Sequence, residues 1–260
     1  MNQITVDPFL CKRDGICVAV CPARVLLNNS DGLPEEIPGS TCIHCGHCVA
    51  VCRSHALSHS GLEAEALLPM PEELPSPEAL DGLLRSRRSI RAYRPEPVPR
   101  AVLEELLHAA RRAPTATNSQ LLHWIVVSGR EQVHAVAAEI VEGMKLAGVN
   151  PAILERWDGG EDFVLRGAPT LVLACAPSEY FWKKEDCAIA LTFLELAAEA
   201  RGLGACWAGY LTRCATLHAP LRELLRVPEG YAVGGGLMLG RSQYKFHRIP
   251  PRKPLSVQWQ

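Results

Sequence analysis

The spacing of hydrophobic residues predicts several helices in the part of the chain that follows Leu80. Arg100–Arg112 carries apolar residues at helical spacing, namely Leu103, Leu106, Leu107 and Ala110. The pattern also predicts a helix over Glu131–Ala147. Lys184–Arg201 is apolar on most of its faces, so we expect this helix to lie at the centre of its domain.

Apolar runs of strand length alternate with these helices. They read HWIVVSG, PTLVLACAP, ACWAGYL and YAVGGGLMLG, and a helix from about Leu217 to Leu225 is predicted between the last two. The mixture predicts an α+β fold, with a sheet flanked by helices. Because no G-x-G-x-x-G follows any of these strands, a Rossmann-type nucleotide site is not expected.

The composition of the chain changes between Ser58 and Leu80. Four prolines fall within nine positions and alternate with acidic residues, which is typical of an extended, semi-rigid segment. We therefore predict a small domain over residues 1–60, a proline-rich linker over 61–79 and a larger domain over 80–260. A short helix at Glu63–Leu68 would fall inside the linker.

Composition and charge exclude several classes of protein. The chain has 260 residues, of which 48% are hydrophobic and 21% are charged, as in folded globular proteins. Its formal net charge of −1 gives no reason to expect a nucleic acid or an anionic membrane as partner. The apolar runs fall short of a membrane span, and the N-terminus MNQITVDPFL lacks the features of a signal peptide. These features predict a cytoplasmic protein.

The cysteines are numerous and unevenly distributed. The chain has eleven, and seven of them lie between Cys11 and Cys52. The segment CIHCGHCVAVC has the spacing C-x2-C-x2-C-x3-C, which holds an iron–sulfur cluster in bacterial ferredoxins. An odd number of cysteines without a secretion signal also favours metal binding over a disulfide framework.

The two cysteine groups are copies of each other. A shift of 31 positions, the separation of Cys11 and Cys42, also superimposes Cys17 on Cys48 and Cys21 on Cys52. In two-cluster ferredoxins the fourth cysteine of each group binds the other cluster. The first cluster is therefore predicted to use Cys11, Cys17 and Cys52, with Asp14 as a possible fourth ligand. The second is predicted to be a 4Fe–4S cluster held by Cys42, Cys45, Cys48 and Cys21.

Asp14 occupies the position at which the second group has Cys45. Carboxylate is a harder ligand than thiolate and holds a soft cluster iron less firmly. The first cluster is therefore either 4Fe–4S with Asp14 bound or 3Fe–4S with that corner empty. Because Asp-Gly is also typical of turns, Asp14 could instead be a turn residue, and both roles can hold together. A zinc site is the alternative for the cysteines, although seven interleaved cysteines fit two clusters better. Over its whole length this segment resembles a two-cluster bacterial-type ferredoxin domain.

A basic segment, RSRRSIRAYR, opens the larger domain. Such a segment suits a solvated face, a nucleic-acid patch or a phosphate site, and the near-zero net charge disfavours nucleic acid. Arginine suits phosphate because its planar fork donates two parallel hydrogen bonds. A second basic group, RIPPRKP, lies close to the end of the chain, and the two groups could meet around one phosphate.

The order of four motifs along the chain indicates a protein family. RRSIRAY is followed by APTATNSQ before a strand, GLGACWAGYL after a long apolar helix, and PPRKPL at the end. From about Leu80 to Leu255 the chain resembles the nitroreductase family of FMN flavoproteins. The departure is Leu121–Leu122, where the family often has Pro-Trp. The resemblance implies FMN-binding roles for Arg87, Arg88, Ser89, Arg91, Asn118, Gln120, Trp207, Ala208, Gly209, Arg252 and Lys253.

The resemblance assigns these residues to parts of the cofactor. The first motif would contact the phosphate, the ribityl chain and the flavin edge, and Asn118 the pyrimidine side. Backbone N–H groups of Trp207–Gly209 would point toward the flavin, and Arg252, with Lys253 beside it, would bind the phosphate. The four scattered cysteines, Cys175, Cys187, Cys206 and Cys214, are expected to be buried small hydrophobic residues.

The resemblance implies a homodimeric oxidoreductase. Its ferredoxin domain would relay single electrons to FMN, and the flavin would pass a hydride or an electron pair to a small oxidised substrate such as a nitro compound or a quinone. No catalytic acid or base is assigned, because flavin chemistry needs no side-chain nucleophile. The electron donor could be ferredoxin or NAD(P)H, and with NAD(P)H the clusters would store electrons. The alternative outside enzymes is a redox sensor or electron-transfer module.

Overall fold

The structure is a computed structural model that describes residues 3–63 and 67–260. By its internal contacts the chain divides into two compact units. The first contains the residues up to Leu74 together with Thr117–Ser119, and the second contains Pro75–Ala116 and Gln120–Gln260. The helix predicted at Glu63–Leu68 lies partly outside the described residues.

The first unit consists of two short hairpin-like sheets and two short helices. The strands and helices are β1 (Ile4–Val6), α1 (Ile16–Ala19), β2 (Leu26–Asn28), β3 (Pro34–Glu36), α2 (His47–Val51) and β4 (Leu57–His59). β1 pairs with β4 and β2 pairs with β3, both antiparallel. The 31-residue shift that superimposes the cysteines also superimposes β2 on β4, so the duplication extends to the fold.

A small apolar core holds the first unit together. Ile4, Val25, Leu26 and Leu57 are buried in it next to the thiols of two cysteines. A domain of this size is only marginally stabilised by the packing of so small a core, so bound metal is expected to contribute to its stability.

The second unit is built on a four-stranded antiparallel sheet of order β5-β6-β8-β7. Its strands are β5 (His123–Ser128), β6 (Thr170–Pro177), β7 (Gly204–Trp207) and β8 (Tyr231–Gly240). Its helices are α3 (Pro77–Ser86), α4 (Arg100–Ala110), α5 (Arg130–Leu146), α6 (Pro151–Asp158), α7 (Lys183–Glu199), α8 (Gly209–Leu217) and α9 (Ala219–Leu224). The α+β fold predicted from the sequence is confirmed.

Helices cover both faces of this sheet. Along β6, Leu171 and Leu173 face a core formed with α5, α8 and α9, whereas Val172 and Ala174 face a core formed with α4 and α7. Because both faces are covered, β6 is apolar throughout rather than alternating, which is why its sequence reads as one apolar run. Among the described residues, no helix combines the length and apolarity that crossing a membrane would require.

The predicted strand over ACWAGYL is only half correct. β7 ends at Trp207, and α8 begins at Gly209. The Ala208 N–H still donates to the Gly236 carbonyl at 2.8 Å, in register with the ladder, but the backbone of Ala208 leaves the extended conformation, with φ of −87° and ψ of 66°, and the chain turns into the helix. The helix predicted from about Leu217 to Leu225 is α9, which begins at Ala219, whereas α8 was not predicted and is separated from α9 by the extended backbone of His218.

The helix predicted at the centre of the domain, α7, packs against the sheet along one face only. Leu191 and Leu194 are fully buried, but Ile189 and Phe193 on another face are 38% and 40% exposed. Close contact with β8 depends on glycine, since a Cβ at Gly234 would lie 2.5 Å from the Cys187 Sγ. The three consecutive glycines of β8 are thus explained by packing.

Candidate functional site

The two cysteine loops repeat each other in backbone conformation. Gly15 and Gly46, which precede α1 and α2, have φ angles of 70° and 73°. Arg13 and His44, the equivalent positions two residues earlier, have φ angles of 55° and 53°. Left-handed residues at matching positions turn each loop sharply, so the cysteines before and after the turn can face a common centre.

Backbone N–H groups point at the sulfurs of both loops. The N–H groups of Arg13 and His44 donate to the sulfurs of Cys11 and Cys42, each at 3.4 Å. In the same way, Val25 N–H donates to Cys21 Sγ at 3.4 Å, and Ala56 N–H donates to Cys52 Sγ at 3.3 Å. Such donors stabilise thiolate, the form of cysteine that binds iron.

The structure groups the thiols crosswise. Burial raises the pKa of Cys17, and the neighbouring thiols of Cys11 and Cys52 raise it further. Burial raises the pKa of Cys48 to about 11, and Cys42 and Cys21 add to that effect. Each set of three therefore combines two cysteines of one loop with the last cysteine of the other.

The second set surrounds a small cavity. Its lining includes Cys21, Cys42, Cys45 and Cys48, the four cysteines predicted to hold the second cluster. Within residues 3–63 and 67–260, no three Cys, His, Asp or Glu side chains converge closely enough to hold a single metal ion. A cluster binds each thiolate at a separate iron, so four cysteines spread around one cavity suit a cluster.

Cys52 differs from Cys17 and Cys48 in the direction of its pKa shift. Burial acts to raise its pKa, but hydrogen bonds from the Ser54 hydroxyl and from the N–H groups of Ala56, Ser54 and Leu57 together lower it. The Ser54 Oγ lies 3.6 Å from the sulfur. Cys52 is thus the thiol in this unit for which the structure most clearly favours the thiolate.

Asp14 is exposed and takes part in a turn. Its Oδ1 accepts a hydrogen bond from the Ile16 N–H at 3.1 Å, immediately before α1. Cys45, at the equivalent position, is half-buried and lines the cavity. The structure therefore shows the turn role of Asp14 directly.

A histidine that the sequence interpretation missed contacts the second cysteine group. His59 is buried, and its Nε2 lies 3.5 Å from the Cys42 Sγ. Burial lowers the pKa of His59, and the nearby His44 lowers it further. The duplication could have drawn attention to His59. The 31-residue shift places Asn28 at the equivalent position of the first repeat, so the two repeats differ there.

In the second unit, the first basic motif lies beside β7. The Ile90 N–H donates to the Ala205 carbonyl at 2.9 Å, and Ser89 forms an isolated β-bridge with Ala205, which places its side chain near the Cys206 thiol. Arg87 pairs with Glu195 of α7, with Nη1 and Oε1 3.0 Å apart and both side chains about four-fifths buried. The Arg91 Nη1 donates to the Ser89 carbonyl at 3.3 Å.

A cavity of about 450 Å³ brings Arg91, Trp207 and Gly209 together. Arg166 and Arg213, which the sequence interpretation did not select, also line it. Three guanidinium groups, an aromatic ring and the N-terminus of α8 form a site suited to a planar anionic ligand. Arg88 lines a different cavity, and Arg252 and Lys253 are exposed in a segment without regular structure.

The loop that follows α4 is held by a buried carboxylate. Asp186, in the first turn of α7, accepts hydrogen bonds from the Ala116 N–H at 3.1 Å and the Tyr180 hydroxyl at 2.6 Å. Gln120 adopts a left-handed conformation with φ of 49°, and its N–H donates to the Thr115 Oγ1 at 3.0 Å. Such strained backbone positions are often found at functional sites.

Asn118 belongs to the first unit by its contacts. Its side-chain nitrogen donates to the carbonyl oxygens of Ile43 and His44, both at 3.0 Å. In the structure this amide therefore lies beside the backbone that precedes Cys45.

The four remaining cysteines are buried in the second unit, as expected. Burial raises the pKa of Cys175 and Cys187 to about 12 and also raises the pKa of Cys206 and Cys214. Their thiols therefore stay protonated and unreactive at neutral pH.

Comparison with known proteins identifies both units. The model of the nitroreductase family matches residues 84–241, and that of the 4Fe-4S dicluster domain matches residues 3–53. A protein of Archaeoglobus fulgidus, provisionally named NADH dehydrogenase/NAD(P)H nitroreductase, is 32% identical over 61% of this chain and 82% of its own length. An NADH dehydrogenase of Thermus thermophilus is 31% identical over 66% of this chain and 78% of its own length.

A solved structure supports the same conclusion for the fold. A nitroreductase with bound FMN from Bacteroides fragilis is 25% identical, has a TM-score of 0.58, and covers 69% of this chain and 98% of its own. The larger unit of this chain is therefore similar in fold to a nitroreductase that binds FMN. The chain belongs to the nitroreductase family and carries a 4Fe-4S dicluster domain ahead of its nitroreductase domain.

Proposed function

We propose that this chain is an FMN-dependent oxidoreductase in which electrons pass between N-terminal iron–sulfur clusters and FMN to reduce a small molecule such as a nitro compound or a quinone. The observation that carries the proposal is that one chain combines two crosswise thiol groups with the nitroreductase fold. When bound, the clusters supply one-electron transfer and FMN supplies two-electron transfer. Solved nitroreductases of this fold from two organisms hold FMN.

The cationic and aromatic side chains around the cavity of the second unit support FMN as its ligand. The phosphate would be bound by Arg87 and Arg252, with Lys253 and Arg88 nearby in sequence. The pairing of Arg87 with Glu195 holds its guanidinium in one orientation, which reduces the entropy lost on binding. Ser89 supplies a hydroxyl donor, and the resemblance assigns further contacts to Arg91, Gln120, Trp207, Ala208 and Gly209. It also assigns one to Asn118, which the structure places in the first unit with its side-chain nitrogen donating to the carbonyls of Ile43 and His44.

The start of α8 suits the electron-rich edge of a flavin. Gly209 is the first residue of this helix, so its N–H has no acceptor within the helix. The N-terminus of a helix also carries a partial positive charge, which stabilises a nearby anion. By contrast, the Ala208 N–H already donates to Gly236, so the backbone donor offered to the cofactor is assigned to Gly209.

We assign the clusters to the two crosswise thiol groups. The second cluster is 4Fe–4S, held by Cys21, Cys42, Cys45 and Cys48. The first uses Cys11, Cys17 and Cys52, and it is either 4Fe–4S with Asp14 as ligand or 3Fe–4S. The grouping of the thiols and the N–H donors to their sulfurs support this assignment.

A second candidate function differs in the electron donor. In it NAD(P)H reduces the enzyme directly, and the clusters store electrons. The names of the Archaeoglobus and Thermus relatives, which refer to NADH or NAD(P)H, favour this candidate.

Anaerobic purification followed by iron, sulfide and flavin analysis tests the cofactor assignment. Two clusters and one FMN per chain are expected, and FAD in place of FMN would contradict the proposal. Turnover of a nitroaromatic compound with reduced ferredoxin, with NADPH, or with neither then identifies the donor. Cofactors without turnover under any of these conditions would instead indicate a sensor or electron-transfer module.

A further inference from the structure

The environment of His59 fixes which of its ring nitrogens carries the proton. The Gly61 N–H donates to His59 Nδ1 at 2.9 Å, so Nδ1 must present its lone pair. The proton of the neutral ring is then on Nε2, which lies 3.5 Å from the Cys42 Sγ. His59 therefore donates an N–H···S hydrogen bond to a cysteine assigned to the second cluster.

The surroundings of His59 hold the ring in this position. The side chain is only 5% exposed, and its ring makes an edge-to-face contact with the His44 ring, with centroids 5.0 Å apart. Gly61 makes this arrangement possible, because a Cβ there would lie 2.8 Å from His44 Nδ1 and 3.3 Å from His59 Cε1. The hydrogen bond to Cys42 is thus built into the fold.

The first cysteine group has no equivalent donor among the described residues. The duplication places Asn28 at the position of His59 and Cys11 at the position of Cys42. Asn28 is exposed, and in the described part of the chain the Cys11 sulfur accepts a hydrogen bond from Arg13 N–H alone. The two thiol groups therefore have equivalent backbone N–H donors, but the second group also has the side-chain donor His59.

We propose that His59 is a positioning residue that raises the reduction potential of the second cluster above the value it would have without the hydrogen bond to Cys42. Reduction adds one electron, part of whose charge is carried by the sulfurs, and an N–H donor stabilises that charge. The step moves one electron from the reduced donor to the cluster, breaks no bond, and leaves the proton on His59. The inference rests on the proposed assignment of Cys42 to that cluster.

The experiment is a redox titration of the whole, anaerobically purified protein with dithionite, followed by electron paramagnetic resonance. In His59→Leu, the ratio of reduced to oxidised second cluster at a fixed potential should fall about tenfold, equivalent to ~59 mV for a one-electron couple. In His59→Gln the amide nitrogen can reach the place of Nε2, so the potential should stay close to that of the unaltered protein. Asn28→Ala is the matched control and should leave the second cluster unchanged.

Each alternative outcome decides the question. An unchanged potential in a fully loaded His59→Leu protein would overturn the inference, as would an equal fall in His59→Leu and His59→Gln. If His59→Leu loads its cluster poorly, His59→Asn takes its place, because the shorter amide cannot reach Cys42 and the residue occurs at the equivalent position of the first repeat. Absence of any cluster from the second group of the unaltered protein would contradict the proposed function itself.

Discussion

Single residues distinguish the two halves of the first unit, although their backbones repeat closely. Asp14 stands where the second half has Cys45, and Asn28 stands where it has His59. The turn at Gly15 nevertheless matches that at Gly46 to within a few degrees in φ. The ligand chemistry of the two halves has therefore diverged without a change in the local fold.

Substitution of Asp14 tests whether the first cluster loses one iron easily. Mild oxidation should produce the electron paramagnetic resonance signal of a 3Fe–4S cluster, and ferrous iron with reductant should remove it, because carboxylate holds a soft cluster iron weakly. Asp14→Cys should abolish this interconversion, and Asp14→Ala should keep the cluster in the three-iron form. The second cluster should be unaffected in both variants.

The hypothesis that Asp14 serves only in the turn, and not as a cluster ligand, predicts a different result. If the unaltered protein and Asp14→Ala contain the same amount of iron and give the same spectrum after reconstitution, the carboxylate is not a ligand. Its role would then be the hydrogen bond to the Ile16 N–H alone.

Arg252 is the residue through which the phosphate assignment is tested. Arg252→Ala should weaken FMN binding by about 1.5–3 kcal/mol, the usual contribution of a hydrogen bond to a charged group. Fluorescence titration of the flavin-free protein with FMN measures this change. Arg222→Ala, which removes an exposed arginine of α9 outside both basic groups, is the control and should have little effect. Equal affinities of Arg252→Ala and the unaltered protein would refute the assignment.

At the level of secondary-structure elements, one buried carboxylate connects α7 to the loop after α4. Asp186 is only 3% exposed and accepts hydrogen bonds from Ala116 N–H and from the Tyr180 hydroxyl. The loop itself has left-handed residues at Thr117, Asn118 and Gln120. Hydrogen bonds at the base of a strained loop offset part of the cost of that backbone conformation.

Removing this carboxylate should destabilise the fold. In Asp186→Ala the Ala116 N–H and the Tyr180 hydroxyl lose an acceptor, which should lower the free energy of unfolding by about 1–3 kcal/mol. Urea denaturation of the second unit, followed by tryptophan fluorescence, measures the difference. Glu185→Ala removes the neighbouring, exposed carboxylate of the same helical turn and should change stability little. Equal losses in the two variants would mean that the hydrogen bonds of Asp186 are not responsible.

At the scale of the whole molecule, apolar side chains remain exposed in the second unit. Ile189 and Phe193 of α7 are about two-fifths exposed, and Leu255 and Trp259 near the end of the chain are 88% and 90% exposed. Groups of large exposed apolar residues often mark protein–protein contacts. They support the proposal, implied by the resemblance to nitroreductases, that the active form is a homodimer.

Sedimentation of the flavin-loaded protein tests this proposal. The expected mass is twice the 28.4 kDa of the chain. Phe193→Asp should shift the protein toward monomer, because burial of a carboxylate at an apolar interface is costly. Phe9→Asp alters an exposed phenylalanine of the first unit and is the matched control. An active, flavin-loaded monomer would refute the homodimer.

Deletion of Leu255–Gln260 tests the contribution of the C-terminal segment. If this segment crosses to a second copy, its loss removes apolar contact area and should raise the dissociation constant of the dimer. A dissociation constant equal to that of the full chain would exclude a role of the segment in dimer formation.

Much of the fold followed from local sequence patterns. Helical spacing predicted α4, α5 and α7 to within about two residues at each end, and apolar runs predicted β5, β6 and β8. The end of β7 was missed, because the apolar run continues through the point where Ala208 leaves the extended conformation and α8 begins, and α8 is buried against β8 and α5. Periodicity reports on neighbours along the chain and carries no information about such packing.

The candidate sites also differ in how far local sequence patterns predict them. The spacing and duplication of the cysteines, together with the interleaved ligands of two-cluster ferredoxins, predicted which thiols group together, because each loop carries its cysteines within a few residues of one another. Only the tertiary structure paired Arg87 with Glu195, separated by 108 positions, and Ala116 with Asp186, separated by 70. It also placed His59 against Cys42, because the strand that ends at His59 is fixed by pairing with β1 at the other end of the domain. Contacts made by packing distant segments depend on the whole fold, which no local motif specifies.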